Sequence, residues 1–582
     1  MPLYSHPLQP NNPSSLQRNE ILQYALNNVN RPEDFGNIKK LLEPPVDITT
    51  ITPPGSFAGV KVGIIGGGLA GLASAFELRK LGCDITILEA LEERIGGRVY
   101  TYHFDKLKKL YGEFGPMRIP VCHNTVWHYI DIFKLNTRPF VQKNGNSFIF
   151  VRNVRTRNRN KDIMKKIYPE FNLRSWEKDT PWDELFDFLS APLYQMAPAV
   201  RKELLEIKPY YHPQIQYWNS INFRQQLECV PLSQPAISLS ASIAPLTGTA
   251  YYDSDTEVLA EYYPLIFSFL YEIIGGSANL PLAFYKSLIS VAPHEYQDIP
   301  NNKLGKITWK RGNRVNGIYL SRSNNQVIVK HMNRHLNIAY DHFDYVICAI
   351  PFSSLRTVEI NPLLSDKKMQ AIREVNYKVA QKTLFLCNRR FWETGGPNTQ
   401  IVGGGSYTDL PISMIWYPSD HAECILKDYR KDRVYQQESP FDTWTIKPMC
   451  SPEDPGVLLA SYNLSLDAVR LGNLSDTLRF AEIKRQVEAV HGLTEGYLDS
   501  VVEDFKTVQW NREEPFYGAF AAMQPQQKSL FLYAMAQPEY NNRLFFAGEH
   551  ISTQPHWMQG ALSSGIKAAN ALAYSCRGNT IF

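Results

Sequence analysis

Cysteine is scarce in this chain, and no two cysteines are close in sequence. Eight occur in 582 residues: Cys83, Cys122, Cys229, Cys348, Cys387, Cys424, Cys450 and Cys576. None forms a Cys-x-x-Cys motif, so no zinc pattern is present and no metal site is expected. Several lie in apolar runs (Cys348 in YVICAIP, Cys387 in LFLCN), as small buried side chains in a reducing compartment do. Long hydrophobic runs are also missing. No apolar stretch reaches ~18 residues, so no membrane span is expected. The N-terminus, MPLYSHPLQPNNPSSLQRNE, is polar and proline-rich with no apolar core, which shows no secretory signal and leads us to expect a cytoplasmic protein. A net charge of +4 is too small to imply a polyanionic partner. The basic stretch RNVRTRNRNKDIMKK (152–166) reads as a solvated loop rather than a nucleic-acid site.

What remains is an ordinary globular composition, 44% hydrophobic and 20% charged, in a chain long enough for two or three domains. The most informative stretch is 61–98, KVGIIGGGLAGLASAFELRKLGCDITILEALEERIGGR. A β-branched run, Val62 to Ile65, enters the turn Gly66-Gly67-Gly68-Leu69-Ala70-Gly71. A helical apolar pattern runs from Leu69 to Leu81. A second run, Ile85 to Leu88, ends at Glu89 and Ala90. This is the βαβ dinucleotide fingerprint in its proper context. Gly66 permits the tight turn, Gly68 admits a pyrophosphate, and Gly71 lets the helix pack on the strand. The helix N-terminus offers free N–H groups to phosphate. Glu89 can accept from a ribose diol and would repel a 2′-phosphate, which argues against NADP.

The continuation Glu92-Glu93-Arg94-Ile95-Gly96-Gly97-Arg98 is not part of an NAD site. It resembles the second cofactor loop of the flavin amine oxidase superfamily. The resemblance implies that Gly96 and Gly97 approach the flavin and that Arg98 offsets phosphate charge. Later segments are similar to the L-amino acid oxidase family within it. Gly112-Glu113-Phe114-Gly115-Pro116-Met117-Arg118-Ile119-Pro120 resembles the motif whose arginine grips the substrate carboxylate. A guanidinium suits that task, being planar, always charged and bidentate. Ile273 to Pro281 (IIGGSANLP) resembles the family's glycine-rich helix start, and Val315 aligns with the valine that meets the adenine. The strand around Lys382 (Asn376 to Thr383) resembles the one whose lysine holds a water near flavin N5. FFAGEH (Phe545 to His550), with Trp557, Met558, Ala561 and Ser564-Gly565, resembles the C-terminal flavin signature. There Gly548 and Glu549 would hold the ribityl chain and Trp557 would wall the substrate pocket. The resemblance puts the backbone carbonyl of His556 where relatives accept a hydrogen bond from the substrate amine; many relatives have a small residue there, and the alternative is that the bulkier His556 touches the substrate itself. Tyr417, in Trp416-Tyr417-Pro418, is assigned as the tyrosine facing the carboxylate, with Trp416 the one-residue alternative. No cysteine occupies the C-terminal signature, so FAD is expected to be noncovalent.

The likeness implies an α/β fold. A Rossmann-like FAD domain of the two-dinucleotide-binding-domain type joins a mixed-sheet substrate domain and a helical cap. The expected division is an arm (1–56) packed over the body, FAD-domain segments at 57–122, 271–352 and 505–582, substrate-domain segments at 123–164 and 353–504, and a helical domain at 165–270. Within the helical domain, Trp182 to Leu189 and Leu259 to Ile274 read as apolar-periodic.

The implied reaction is oxidative deamination of an L-amino acid with dioxygen, giving a 2-oxo acid, ammonia and hydrogen peroxide. A homodimer or higher homo-oligomer is also implied. Tyr251-Tyr252-Asp253-Ser254-Asp255 resembles the DSD stretch of lysine- and arginine-directed relatives, so Asp255 is a candidate partner for a basic side chain. The competing reading is that Asp253 or Asp255 caps a helix over Thr256 to Tyr263. Other chemistries weighed are a 2-monooxygenase on the same fold, an amine or polyamine oxidase, and a non-enzymatic flavin protein. Arg118 argues against the amine oxidase, since an amine without a carboxylate gives that arginine no partner.

Overall fold

The computed structural model describes residues 7, 9–321, 325–424 and 444–578. Its centre is a five-stranded parallel sheet drawn from three distant parts of the chain. The strand order is Ile307–Arg311, Asp84–Glu89, Lys61–Ile65, Tyr345–Cys348 and Leu544–Phe546. Ile64 sits between Ile87 and Ile347 in the ladder, and the run VGII is buried along its length. Such a continuous apolar strand suits a parallel sheet covered on both faces.

One face is covered by the helices Leu69–Lys80 and Met558–Cys576. They cross closely because Gly565 has no side chain. A Cβ there would stand 2.3 Å from the Ala70 carbonyl oxygen. The other face meets a four-stranded sheet of Ile338–Phe343, Val327–Asn333, Asn313–Leu320 and Glu359–Asn361. Phe343 lies against Gly63, where a Cβ would meet the ring at 2.6 Å. The strands expected over 305–350 therefore divide between two sheets.

A seven-stranded mixed sheet forms the second large layer. Its order is Val502–Gln509, Ala380–Cys387, Gly456–Leu464, Met414–Trp416, Gly405–Thr408, Phe148–Val151 and Val154–Arg157. The pair Gly405–Thr408 and Phe148–Val151 is parallel, and its other pairs are antiparallel. The expected boundary at 504 falls inside the strand Val502–Gln509. Helix Asn124–Ile132 contributes Val126, Trp127, Tyr129 and Ile130 to the core of the parallel-sheet layer, although 123–164 was expected on the substrate side.

Short helices between Asn160 and Tyr262 build a cap. The stretch Leu259 to Ile274 is not one helix. Helix Asp255–Tyr262 ends there, and Leu270–Ile273 is a strand pairing with Ile119–Pro120 and Thr137–Pro139. The arm forms helices Ser15–Asn28 and Phe35–Leu42, whose Ile21, Leu22, Leu26, Ile38 and Leu42 enter one core with cap residues. Among the described residues no helix is long and apolar enough to cross a membrane.

Candidate active site

The sheet, the mixed sheet and the cap enclose one continuous cavity of about 1480 Å³. That volume exceeds the usual range for a single small ligand and admits a dinucleotide with a substrate.

The glycine turn and both helix N-termini open onto one end. Gly66, Gly68, Leu69, Ala70, Glu89, Ala90, Gly97, Arg98, Val315, Gly548, Glu549, Met558 and Ala561 all line the cavity. Gly66 takes the left-handed φ of +103° that the turn requires. Gly71 lies behind the lining, and a Cβ on it would stand 2.0 Å from the Gly66 carbonyl oxygen. Its role is close helix–strand packing. Neither Gly68 before the first helix nor Trp557 before the last provides a side-chain cap, so the first N–H groups of both helices are free for an anion. Glu89 accepts from the Gly67 N–H at 2.7 Å and the Leu91 N–H at 2.8 Å, and burial raises its pKa.

Arg98 does something the sequence did not reveal. Its Nη1 lies 2.7 Å from Glu549 Oε1, making an ion pair between distant segments of the chain in the cavity wall. Burial disfavours the charge on Glu549, but Arg98, His550 and His556 overcome this and hold its pKa below the ordinary value. These residues suit FAD: uncapped helix termini for the phosphates, an acid at the end of the second strand, and no cysteine among the described lining residues.

The other end holds Gly115, Pro116, Met117, Arg118, Lys382, His556 and Trp557. Arg118 is 8% exposed. Its Nη1 donates to Gln142 Oε1 at 3.0 Å, and the guanidinium lies 5.2 Å from the Trp416 ring and 5.6 Å from Phe267. Among the described residues it has no carboxylate in ion-pair contact, and burial lowers its pKa. A buried arginine without an anion is costly. Lys382 donates to the Gly115 carbonyl at 2.7 Å and the Glu113 carbonyl at 3.3 Å, beneath the Tyr462 ring at 4.5 Å. Burial pushes the Lys382 pKa down and the neighbouring Glu113 carboxyl up. Trp557 Nε1 donates to Glu261 Oε1 at 2.9 Å.

Two assignments are corrected. Tyr417 does not line the cavity. Its buried hydroxyl meets Ser406 Oγ at 2.7 Å and His491 Nε2 at 2.9 Å, in a separate core. Strand alternation is the reason: Trp416 faces the cavity, so the next residue faces away. Of the five tyrosines lining the cavity, Tyr194, Tyr262, Tyr407, Tyr462 and Tyr517, it is Tyr407 and Tyr462 that act electrostatically on Arg118. Tyr462 is the cross-strand partner of Lys382, and Arg118 partly offsets the burial that raises its hydroxyl pKa. Asp255 is also outside the lining. It opens helix Asp255–Tyr262 fully buried, with neither carboxylate oxygen partnered, and burial raises its pKa well above normal. Neither aspartate supplies a side-chain cap to that helix. Asp253 does line the cavity, but Lys378 Nζ lies 2.7 Å from its Oδ1.

Sequence reasoning missed Tyr462, Glu261 and Gln142. The available signal for Tyr462 was an aromatic hydroxyl just after the apolar run VLLA of the strand Gly456–Leu464. Glu261 and Gln142 carried none.

The chain belongs to the flavin containing amine oxidoreductase family, whose model matches residues 69–573, and FAD is its cofactor. The L-amino-acid oxidase of Vipera ammodytes ammodytes is 28% identical over 518 residues, 87% of this chain and 91% of the relative. The Bacillus subtilis (strain 168) protein YobN, provisionally named an L-amino-acid oxidase, is 31% identical over 525 residues, 87% of this chain and 93% of its own. Among solved structures, putrescine oxidase bound to putrescine superposes with a TM-score of 0.62 at 16% identity, covering 89% of this chain and 99% of that one. Cyclohexylamine oxidase from Brevibacterium oxydans IH-35A gives 0.61 at 17%, with the same coverage. At these identities the likeness shows the fold.

Proposed function

We propose that the protein oxidises an L-α-amino acid to its imino acid, which hydrolyses to a 2-oxo acid and ammonia. The observation that carries this is Arg118, a buried guanidinium at the cavity end with a neutral Gln142 partner and, among the described residues, no carboxylate in ion-pair contact, Glu261 acting on it only from further away. A substrate α-carboxylate completes it, and Tyr462 is the neighbouring hydroxyl that completes the clamp. Fixing the carboxylate orients the Cα–H bond, and orientation supplies a large part of barrier reduction. When bound, FAD supplies the electron acceptor and passes the electrons to dioxygen, giving hydrogen peroxide. Lys382, held by two backbone carbonyls, keeps a proton donor on the same wall.

An amine without a carboxylate would leave Arg118 unpaired, so the amine-oxidase reading is disfavoured. A 2-monooxygenase would use the same clamp, and detection of amide rather than 2-oxo acid separates the two. The preference for basic side chains loses the residue it rested on, because Asp255 lies outside the cavity. The homo-oligomer is tested by sedimentation.

Arg118→Ala tests the clamp. Losing one partner of a buried charge pair costs about 2–5 kcal/mol, so kcat/KM for L-amino acids is expected to fall roughly a hundredfold or more with FAD still bound. Undiminished turnover contradicts the clamp.

A further inference from the structure

The acids deep in the cavity wall are mostly answered by the protein itself. Glu549 is met by Arg98, Asp253 by Lys378, and Glu89 by two backbone N–H groups. Glu261 is different. It sits on the cap helix Asp255–Tyr262 and lines the cavity, with its side chain 24% exposed. Oε1 accepts from Trp557 Nε1 at 2.9 Å and lies 3.6 Å from His556 Nδ1. Oε2 has no hydrogen-bond partner among the described residues and is open to the cavity. No described lysine or arginine is in ion-pair contact with this carboxylate. An acid aimed into a cavity without a cation calls for one from the ligand.

Ring contacts tie Glu261 to the arginine at the same end. The Arg118 guanidinium lies 5.6 Å from the Phe267 ring, Phe267 lies 5.8 Å from Trp557, and Trp557 bonds Glu261. All four residues line the one cavity. Arg118 and Glu261 make no ion pair with each other, yet both act on the Tyr462 hydroxyl. The cavity end therefore offers a cation, an anion and aromatic faces beside both. Such faces take a methylene chain and attract a positive group at its tip.

We propose that Glu261 selects L-amino acids with a cationic side chain, lysine or ornithine, by pairing with the side-chain ammonium. This rests on the amino-acid reading above. Arg118 takes the α-carboxylate, and Glu261 takes the far charge. A neutral side chain of similar length strips water from the carboxylate and returns no partner, and that penalty discriminates against it. The preference thus moves from Asp255, which faces no cavity, to a residue of the same helix that does.

The test pairs substrates that differ only in the terminal ammonium: L-lysine with L-norleucine, and L-ornithine with L-norvaline. kcat/KM is read from peroxide release in wild type, Glu261→Gln and Glu261→Asp. Wild type should favour the charged member of each pair by about 100-fold. Glu261→Gln keeps an oxygen for Trp557 but removes the charge, and both ratios should fall to near one. Glu261→Asp keeps the charge and should keep the preference. Ratios near one in wild type overturn the proposal. So do ratios that survive in Glu261→Gln, or a loss there of equal size for charged and neutral substrates, which would assign Glu261 to Trp557 or to the α-ammonium. Turnover of none of the four, nor of any other L-amino acid, would instead overturn the amino-acid reading itself.

Discussion

At the scale of single residues, two buried ionisable groups distinguish a binding group from a structural burden. Arg118 is buried facing a cavity that a carboxylate can enter. Asp255 is buried facing no cavity, and both its oxygens are unpartnered. Its raised pKa means that the folded protein holds a proton which the unfolded chain releases above about pH 4. From there upward the folded state binds more protons, so this residue's contribution to stability falls as pH rises toward the folded pKa. Asp255→Asn removes that penalty. Its melting temperature is expected to gain progressively on wild type as pH rises above about 4, as scanning calorimetry at each pH would show. The same variant should change kcat/KM for L-lysine and L-leucine by the same factor. A selective loss for lysine would restore Asp255 as a specificity residue.

At the scale of elements, the strand–turn–helix unit is the part proposed to hold the cofactor, and its tightest point is Gly71. A methyl there collides with the Gly66 carbonyl at 2.0 Å, so the helix must lift away and carry its free N–H groups out of line. Gly71→Ala should purify pale, with a lowered ratio of flavin to protein absorbance; a fully yellow variant would contradict this. This unit was legible in sequence because glycine spacing, apolar period and the closing acid are all local. The strand Lys61–Ile65 and the helix Leu69–Lys80 fall within a residue of expectation. Tyr417 was misassigned because MIWY is apolar on both sides, and such a run does not reveal which face meets the cavity. Leu259 to Ile274 misled in the same way, since a helix end, a turn and a buried strand give one continuous apolar signal. Glu261 and the Arg98–Glu549 pair depend on contacts between distant segments, which no local pattern encodes.

At the scale of the molecule, three stretches of chain close one parallel sheet, and the arm and cap close the cavity above it. Asp34 is the junction between arm and cap: it lies 2.8 Å from Arg201 and 3.3 Å from Arg31, all three buried. Removing it leaves Arg31 without a carboxylate in contact among the described residues and Arg201 with Glu33 alone, at about 3–5 kcal/mol. Asp34→Ala should therefore melt several degrees below wild type while still binding FAD, and an unchanged melting temperature would mean that the arm is not held there. The central claim is that a buried, unpaired arginine makes this family member act on amino acids rather than amines. It is tested most directly by anaerobic mixing of the yellow protein with L-amino acids and with the amines formed by their decarboxylation. Bleaching by L-amino acids and not by their matched amines is the predicted result; bleaching by the amines alone would contradict the role of Arg118.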